Sequence, residues 1–143
     1  EVMLTLVYKC TAESSAAECA RLMRDNKLGF VPVVDEGGRL ISVVTDRDLA
    51  MRVLAEDKPG STPLREVASV GPLLTCRAED SLESLEERMG AQKRARAVVV
   101  DAANRLIGII SLSDIARAER SAVRTSRLLR EISDRESASI AHV

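Results

Sequence analysis

The sequence predicts an α+β fold of two similar units, each a short β-sheet with two helices, related by a pseudo-twofold axis and packed sheet to sheet. The two halves of the 143-residue chain match without a gap at an offset of 66 residues. Each half contains helix-type amphipathic segments and short apolar runs rich in β-branched residues, which are typical of buried strands. A unit of about 60 residues buries too little surface to be stable alone, so we expect the two sheets to cover each other.

The internal repeat is the strongest signal in the sequence. The segment Leu40–Ala50, LISVVTDRDLA, returns as Leu106–Ala116, LIGIISLSDIA. The same offset joins identical residues along both halves, namely Ala12 with Ala78, Glu13 with Glu79, Ser15 with Ser81, Met23 with Met89, Lys27 with Lys93 and Asp48 with Asp114. A gapless match of this length indicates a duplicated structural unit.

The first half predicts an extended segment, a helix, a hairpin and a second helix. Ser15–Glu18 has the pattern of a capping box that opens the first helix, and Gly29 is placed to end it. The apolar runs FVPVVD and LISVV are joined by the short turn EGGR, which predicts a β-hairpin. The second helix is expected to run from near Asp46 to about Asp57.

The second half repeats this plan after a proline- and glycine-containing break. We expect a short linking helix over 64–68, a helix over Ser81–Gly90, a second hairpin and a last helix from Leu112 that continues past the repeat. The predicted domains are a first domain over 1–58, a linker over 59–66, a second domain over 67–120, and a helical extension with a tail over 121–143.

The composition excludes several functional classes. The net charge is −1 and aromatic residues make up 1% of the chain, which does not favour a nucleic-acid-binding protein. No apolar run approaches the ~18 residues of a membrane span. The only histidine is His142, and the three cysteines have no metal-ligand spacing, so we expect a protein of the cytoplasm with reduced thiols and no catalytic site, metal or cofactor.

Each repeat ends its second apolar run on a hydroxyl residue that is followed three positions later by an aspartate. The pairs are Thr45 with Asp48 and Ser111 with Asp114. Either pair could simply cap the following helix. Alternatively, a hydroxyl, free backbone N–H groups and a carboxylate delivered to one point form a site for an anion and a sugar.

The chain resembles a tandem pair of CBS domains, a Bateman module, over residues 2–120. The resemblance rests on FVPVVDEGGRLISVVTDRDL and RAVVVDAANRLIGIISLSDI, and on the preceding CTAESSAAECARLM and CRAEDSLESLEERM. It implies clefts that bind an adenosine ligand: AMP, ADP or ATP, with S-adenosylmethionine or NAD as further members of the class. In the family pattern a glycine precedes the hydroxyl by three positions, as Gly108 does here, whereas the first repeat has Ser42.

The resemblance assigns roles to residues of two unequal clefts. The aspartate takes the ribose hydroxyls and the threonine or serine meets the phosphate. The first cleft would contain Thr45, Asp48, Leu73 and Leu74 as the adenine wall, and Arg96 near the phosphates. The second cleft would contain Ser111 and Asp114, with Val7, Tyr8, Gly29 and Phe30 opposite.

The sequence leaves two functions open, which belong to different functional classes. The first is a non-catalytic regulatory module that senses an adenosine nucleotide and acts on an effector protein. The second is a structural module for dimerisation or protein interaction with degenerate clefts. In either case we expect a homodimer. One module is expected to leave apolar helix residues uncovered, namely Leu49, Val53, Leu82 and Leu85. The resemblance also implies a dimer, because related modules form pairs.

Overall fold

The computed structural model describes residues 8–69 and 73–113 together with residues 115, 129, 130 and 132. These residues divide into two compact units. The N-terminal unit contains 8–69, 73 and 102–106, and the C-terminal unit contains 74–101, 107–113 and the separate residues 115 to 132. Each unit is built on a three-stranded sheet, which confirms the α+β class. The packing of one unit on the other stays a prediction.

The N-terminal unit has the predicted order of elements. They are β1 (Cys10–Thr11), α1 (Ala16–Asn26), β2 (Phe30–Val34), β3 (Leu40–Thr45) and α2 (Asp46–Leu49), followed by a π-helical turn (Ala50–Leu54). Strand β1 is parallel to β2, and β2 is antiparallel to β3. The predicted hairpin is therefore confirmed, with an irregular register between Val33 and Val34.

The C-terminal unit repeats the same geometry. Its elements are β4 (Thr75–Cys76), α3 (Leu82–Gln92), β5 (Arg96–Val100) and β6 (Leu106–Ser111), with strand order β4–β5–β6. The helices α1 and α3 end in the same way, on Lys27 and Lys93, whose φ angles of 54° and 52° lie in the left-handed region. The repeat in sequence is thus a repeat in backbone conformation.

Several predicted boundaries are wrong in detail. Helix α1 ends before Gly29, because Lys27 adopts the left-handed cap conformation and its N–H donates to the Met23 carbonyl. The second helix is regular only to Leu49 and then widens into the π-helical turn. The linking helix is a single 3₁₀ turn over Leu64–Glu66.

The last predicted helix falls largely outside the described residues. Leu112, Ser113 and Ile115 are helical, and Ile115 is buried in the core of the C-terminal unit. In the part of the chain that the structure describes, no helix is long and apolar enough to cross a bilayer.

The segment predicted as a linker is folded onto the N-terminal unit. The Ala16 N–H donates to the Thr62 carbonyl at 2.8 Å, and the Leu64 N–H donates to the Ser14 carbonyl at 2.9 Å. Leu64 and Val67 are both 0% exposed and belong to the same core as α1 and the sheet. The predicted domain limits stay a prediction, but residues 60–67 are part of this unit's packing.

The two aliphatic cores also correct the expected dimer surface. Val53 is buried in the core of the N-terminal unit, and Leu85 is buried in that of the C-terminal unit. Leu49 and Leu82 are partly buried against the same two cores. Val53 and Leu85 are covered inside their own units and Leu49 and Leu82 are partly covered, so the four do not form an open apolar face.

Candidate functional site

Thr45 and Asp48 form one hydrogen-bonded group at the point where β3 passes into α2. Thr45 has extended backbone and is the N-cap of α2, and its hydroxyl accepts a hydrogen bond from the Asp48 N–H at 3.1 Å. In return, Asp48 Oδ2 accepts from the Thr45 N–H at 2.8 Å and from the Thr45 hydroxyl at 3.0 Å. The cap is therefore present, and it fixes the carboxylate in one orientation.

Asp48 is a buried carboxylate that also binds groups distant in the sequence. The residue is 9% exposed. The Ser69 hydroxyl donates to Oδ2 at 2.5 Å, and the Arg52 Nε lies 3.9 Å from Oδ1. Oδ2 thus accepts three hydrogen bonds, two of them from hydroxyl groups, whereas Oδ1 faces the guanidinium group. Acceptance of two hydroxyl hydrogen bonds is the chemistry by which a carboxylate can bind a sugar.

Residues 68 and 69, which we call segment 68–69, lie beside β3 and α2. The Ser69 N–H donates to the Val43 carbonyl at 3.0 Å, and the buried Ser42 hydroxyl donates to the Ser69 carbonyl at 3.0 Å. The Arg52 Nη1 donates to the Ala68 carbonyl at 2.9 Å. Sequence reasoning missed Ser69, since it lies outside the repeated motif and only the folded chain brings it to Asp48.

The corresponding group in the C-terminal unit is only partly described. Ser111 ends β6 and is half-buried, but Asp114 lies outside the described residues. The junction itself is repeated, since the Leu112 N–H donates to the Ala95 carbonyl at 3.0 Å and the Asp46 N–H donates to the Gly29 carbonyl at 3.1 Å. The backbone at Ser111 therefore turns as it does at Thr45.

The remaining predicted site residues are distributed over both units. Tyr8 is exposed and Phe30 is half-buried at the start of β2, both in the N-terminal unit, whereas Val7 lies outside the described residues. Arg96 is exposed at the start of β5 in the C-terminal unit. Leu73 is half-buried and Leu74 is buried in the C-terminal core, so Leu73 has more side-chain surface to offer a ligand.

The structure brings together Thr45 and Asp48 and adds Ser42, Arg52 and Ser69 to them. The two predicted clefts combine residues of both units, so their assembly stays a prediction. Among the described residues, no group of three or more His, Cys, Asp or Glu side chains is arranged to hold a metal ion.

A pair of buried thiols lies in the core of the N-terminal unit. A hydrogen bond from the Cys19 thiol, helped by one from Ser14, lowers the pKa of Cys10 to about 7 despite its burial. The same hydrogen bond and burial raise the pKa of Cys19. In the C-terminal unit, Leu85 stands at the position of Cys19, and burial raises the pKa of Cys76.

A duplicated α+β unit whose third strand ends on a hydroxyl residue, followed in the N-terminal unit by a buried aspartate three positions later, defines the class of this protein. The family model of the CBS domain matches residues 1–55 and again residues 64–121. The chain therefore belongs to the CBS domain family and carries two CBS domains in tandem. This confirms the resemblance seen in the sequence.

Relatives of similar length share both sequence and fold. The chain is 35% identical over 116 residues to the CBS domain-containing protein YhcV of Bacillus subtilis (strain 168), and the match covers 81% of each protein. It superimposes on CBSX2, solved in complex with AMP, with a TM-score of 0.66 and 26% identity, covering 78% of this chain and 86% of that one.

The CBS domain pair of protein MJ0100 has been solved in complex with 5′-methylthioadenosine and S-adenosyl-L-methionine. It matches with a TM-score of 0.70 and 23% identity, covering 82% of this chain and 94% of that one. At this identity the likeness shows the shared fold.

Proposed function

We propose that this chain is a non-catalytic regulatory module that binds an adenosine nucleotide, with Asp48 as the acceptor for the ribose hydroxyls. The observation that carries the proposal is the state of the Asp48 carboxylate, which is buried, held in one orientation by Thr45, and already bonded to two hydroxyl groups. A helix cap alone needs only the Thr45 interactions. The second hydroxyl, from Ser69, shows that this carboxylate accepts a further alcohol donor.

The solved relatives support the class of ligand. CBSX2 was solved with AMP, and the MJ0100 pair with two other adenosine compounds. The shared part of these ligands is adenosine, whose ribose offers the alcohol donors that Asp48 can accept. The exposed guanidinium of Arg96 is proposed as a phosphate contact, because its forked donors suit phosphate oxygens.

The test is calorimetry of the full chain with AMP, ATP and S-adenosylmethionine. Because a hydrogen bond to a charged group typically contributes ~1.5–3 kcal/mol, Asp48→Ala is expected to weaken AMP binding about 10- to 100-fold. Asp25→Ala is the matched control, since it removes an exposed carboxylate from α1 of the same unit. Equal AMP affinity in wild type and Asp48→Ala would contradict the assignment, and a wild type that binds none of the three ligands would contradict the function.

A second proposed property is self-association. Met51 and Leu54, in the π-helical turn, are 53% and 77% exposed. Two large apolar side chains on one short segment favour a contact with another protein surface. We propose that a second copy of this chain provides it, in place of the contact through Val53 and Leu85 that the sequence predicted.

A further inference from the structure

Segment 68–69 is held against the Asp48 site by four hydrogen bonds. Two join it to β3, from the Ser69 N–H to the Val43 carbonyl and from the Ser42 hydroxyl to the Ser69 carbonyl. The other two join it to the π-helical turn, from Arg52 to the Ala68 carbonyl, and to α2, from the Ser69 hydroxyl to Asp48. The segment is therefore fixed through both its backbone and its side chain.

The hydroxyl of Ser69 occupies Oδ2 of Asp48, one of the two acceptor atoms proposed for the ribose. Oδ2 of Asp48 already accepts from the N–H and the hydroxyl of Thr45. A carboxylate oxygen has about two lone-pair directions, so the three donors around Oδ2 already exceed its usual capacity and a fourth cannot be added. Oδ1 has Arg52 nearby at 3.9 Å. A ribose that places its two neighbouring hydroxyls on the two carboxylate oxygens needs Oδ2 as well as Oδ1. Because the Thr45 groups belong to the cap of α2, the hydroxyl on Oδ2 would replace that of Ser69.

We infer that Ser69 is an internal substitute for a ligand hydroxyl, and that binding of an adenosine nucleotide releases segment 68–69 from Asp48. The inference rests on the proposed function and adds the way in which that site is regulated. Ser69 then lowers the affinity for the ligand, because the ligand can bind only to those protein molecules in which the Ser69 hydroxyl has left Asp48. Ser42 strengthens this competition, since its hydroxyl holds the Ser69 carbonyl where the other repeat has Gly108.

Release of Ser69 would also allow ligand binding to affect other parts of the chain. Ser69 lies in the segment that follows the N-terminal core residues Leu64 and Val67, and Leu74 of the C-terminal core is only a few residues further on. A ligand that binds the released state more tightly shifts the protein towards that state. Segment 68–69 is thus the element whose freedom the ligand changes.

The test measures AMP binding by calorimetry in matched variants of the full chain. Ser69→Ala is expected to bind AMP about 3- to 30-fold more tightly than wild type, because it removes the competing hydroxyl. Ser69→Thr keeps a hydroxyl and is expected to return the affinity towards wild type. Ser61→Ala, at an exposed serine that precedes the 3₁₀ turn, is the control and should not change binding.

Two further measurements do not depend on Ser69→Ala. Ser42→Gly is expected to tighten AMP binding by a smaller factor, since it removes one of the bonds to segment 68–69. In wild type, saturating AMP should speed hydrogen exchange at the Ser69 amide, because that N–H loses its fixed partner at Val43. A merely structural role of Ser69 would predict weaker binding in Ser69→Ala and slower exchange with AMP.

The possible failures are distinguishable. If wild type binds AMP and Ser69→Ala binds it equally or more weakly, the inference is wrong and the proposed function stands. Unchanged exchange at Ser69 with bound AMP would also overturn the inference. If neither protein binds AMP, ATP or S-adenosylmethionine, the proposed function itself is wrong, and the inference falls with it.

Discussion

At the scale of single residues, the Cys10 thiol couples protein stability to pH. Its pKa is lowered to about 7 from an ordinary value of 9.0, chiefly by the hydrogen bond from Cys19. Between these two pH values the unfolded chain holds more protons on Cys10 than the folded chain does. The free energy of unfolding therefore rises with pH over this interval, and the contribution is lost as pH falls through about 7. Above the ordinary value of 9.0 the raised pKa of Cys19 acts in the opposite direction.

We expect Cys10→Ser to remove this pH-dependent gain. Urea unfolding in the presence of a reductant, measured at several pH values from 7 to 9, should show a smaller rise in the free energy of unfolding for Cys10→Ser than for wild type. Cys76→Ser is the matched control, because Cys76 is repeat-equivalent to Cys10 but has Leu85 where Cys19 stands. The interpretation fails if Cys10→Ser and wild type have the same slope.

At the scale of secondary structure, the two long helices differ in their N-terminal caps. The N-terminus of α1 has a complete capping box, in which the Glu18 carboxylate accepts from the Ser15 N–H. Helix α3 has only the forward bond, from the Ser84 N–H to the Ser81 hydroxyl. Glu18 and Ser84 occupy equivalent positions of the repeat, so a helix with the return hydrogen bond can be compared with an equivalent helix that lacks it.

Glu18→Ala is therefore expected to lower the free energy of unfolding by about 0.5–1 kcal/mol, through loss of the return hydrogen bond. Ser84→Ala should be neutral or slightly stabilising, because alanine has the higher helix propensity. Chemical denaturation of both variants checks this. A loss of equal size at the two positions would show that the return bond of Glu18 has no special effect.

The 3₁₀ turn at Leu64 stabilises the N-terminal unit as its regular elements do. Leu64 is 0% exposed and packs with residues of α1 and the sheet. Leu64→Ala is expected to cost about 2–5 kcal/mol of unfolding free energy, from lost burial and the cavity left behind. Ile41→Ala, at a residue that is 51% exposed and outside the proposed dimer contact, should change it by less than about 1 kcal/mol. A small effect at Leu64 would mean that this segment separates easily from the core.

At the scale of the whole molecule, the proposed self-association depends on Met51 and Leu54. Light scattering of the wild type at micromolar concentration is expected to give twice the chain mass of 15.5 kDa. The double variant Met51→Glu/Leu54→Glu should be monomeric, since a charged group in an apolar contact loses its hydration. Ile41→Glu, at an exposed apolar residue of β3, is the control and should remain dimeric. A monomeric wild type would contradict the proposal.

The sequence by itself determined those features that depend on local pattern. The offset of 66 residues identified the duplication, and the alternation of apolar runs with amphipathic segments identified the hairpins and helices. The group of Thr45 and Asp48 was also readable, because a cap joins residues three positions apart. The lengths of the second helix and of the linking helix were wrong, since the change to π-helical and 3₁₀ hydrogen bonding leaves no periodic signal.

Only the tertiary structure decided which distant residues meet. Ser69 bonds to Asp48 across 21 positions and to Ser42 across 27 positions, and neither pair shares a motif. The burial of Val53 and Leu85 in their own cores could not be predicted either. An apolar residue on a helix gives the same sequence pattern whether its own unit or a partner covers it. Contacts of this kind arise from how elements pack, and packing of remote segments has no period in the sequence.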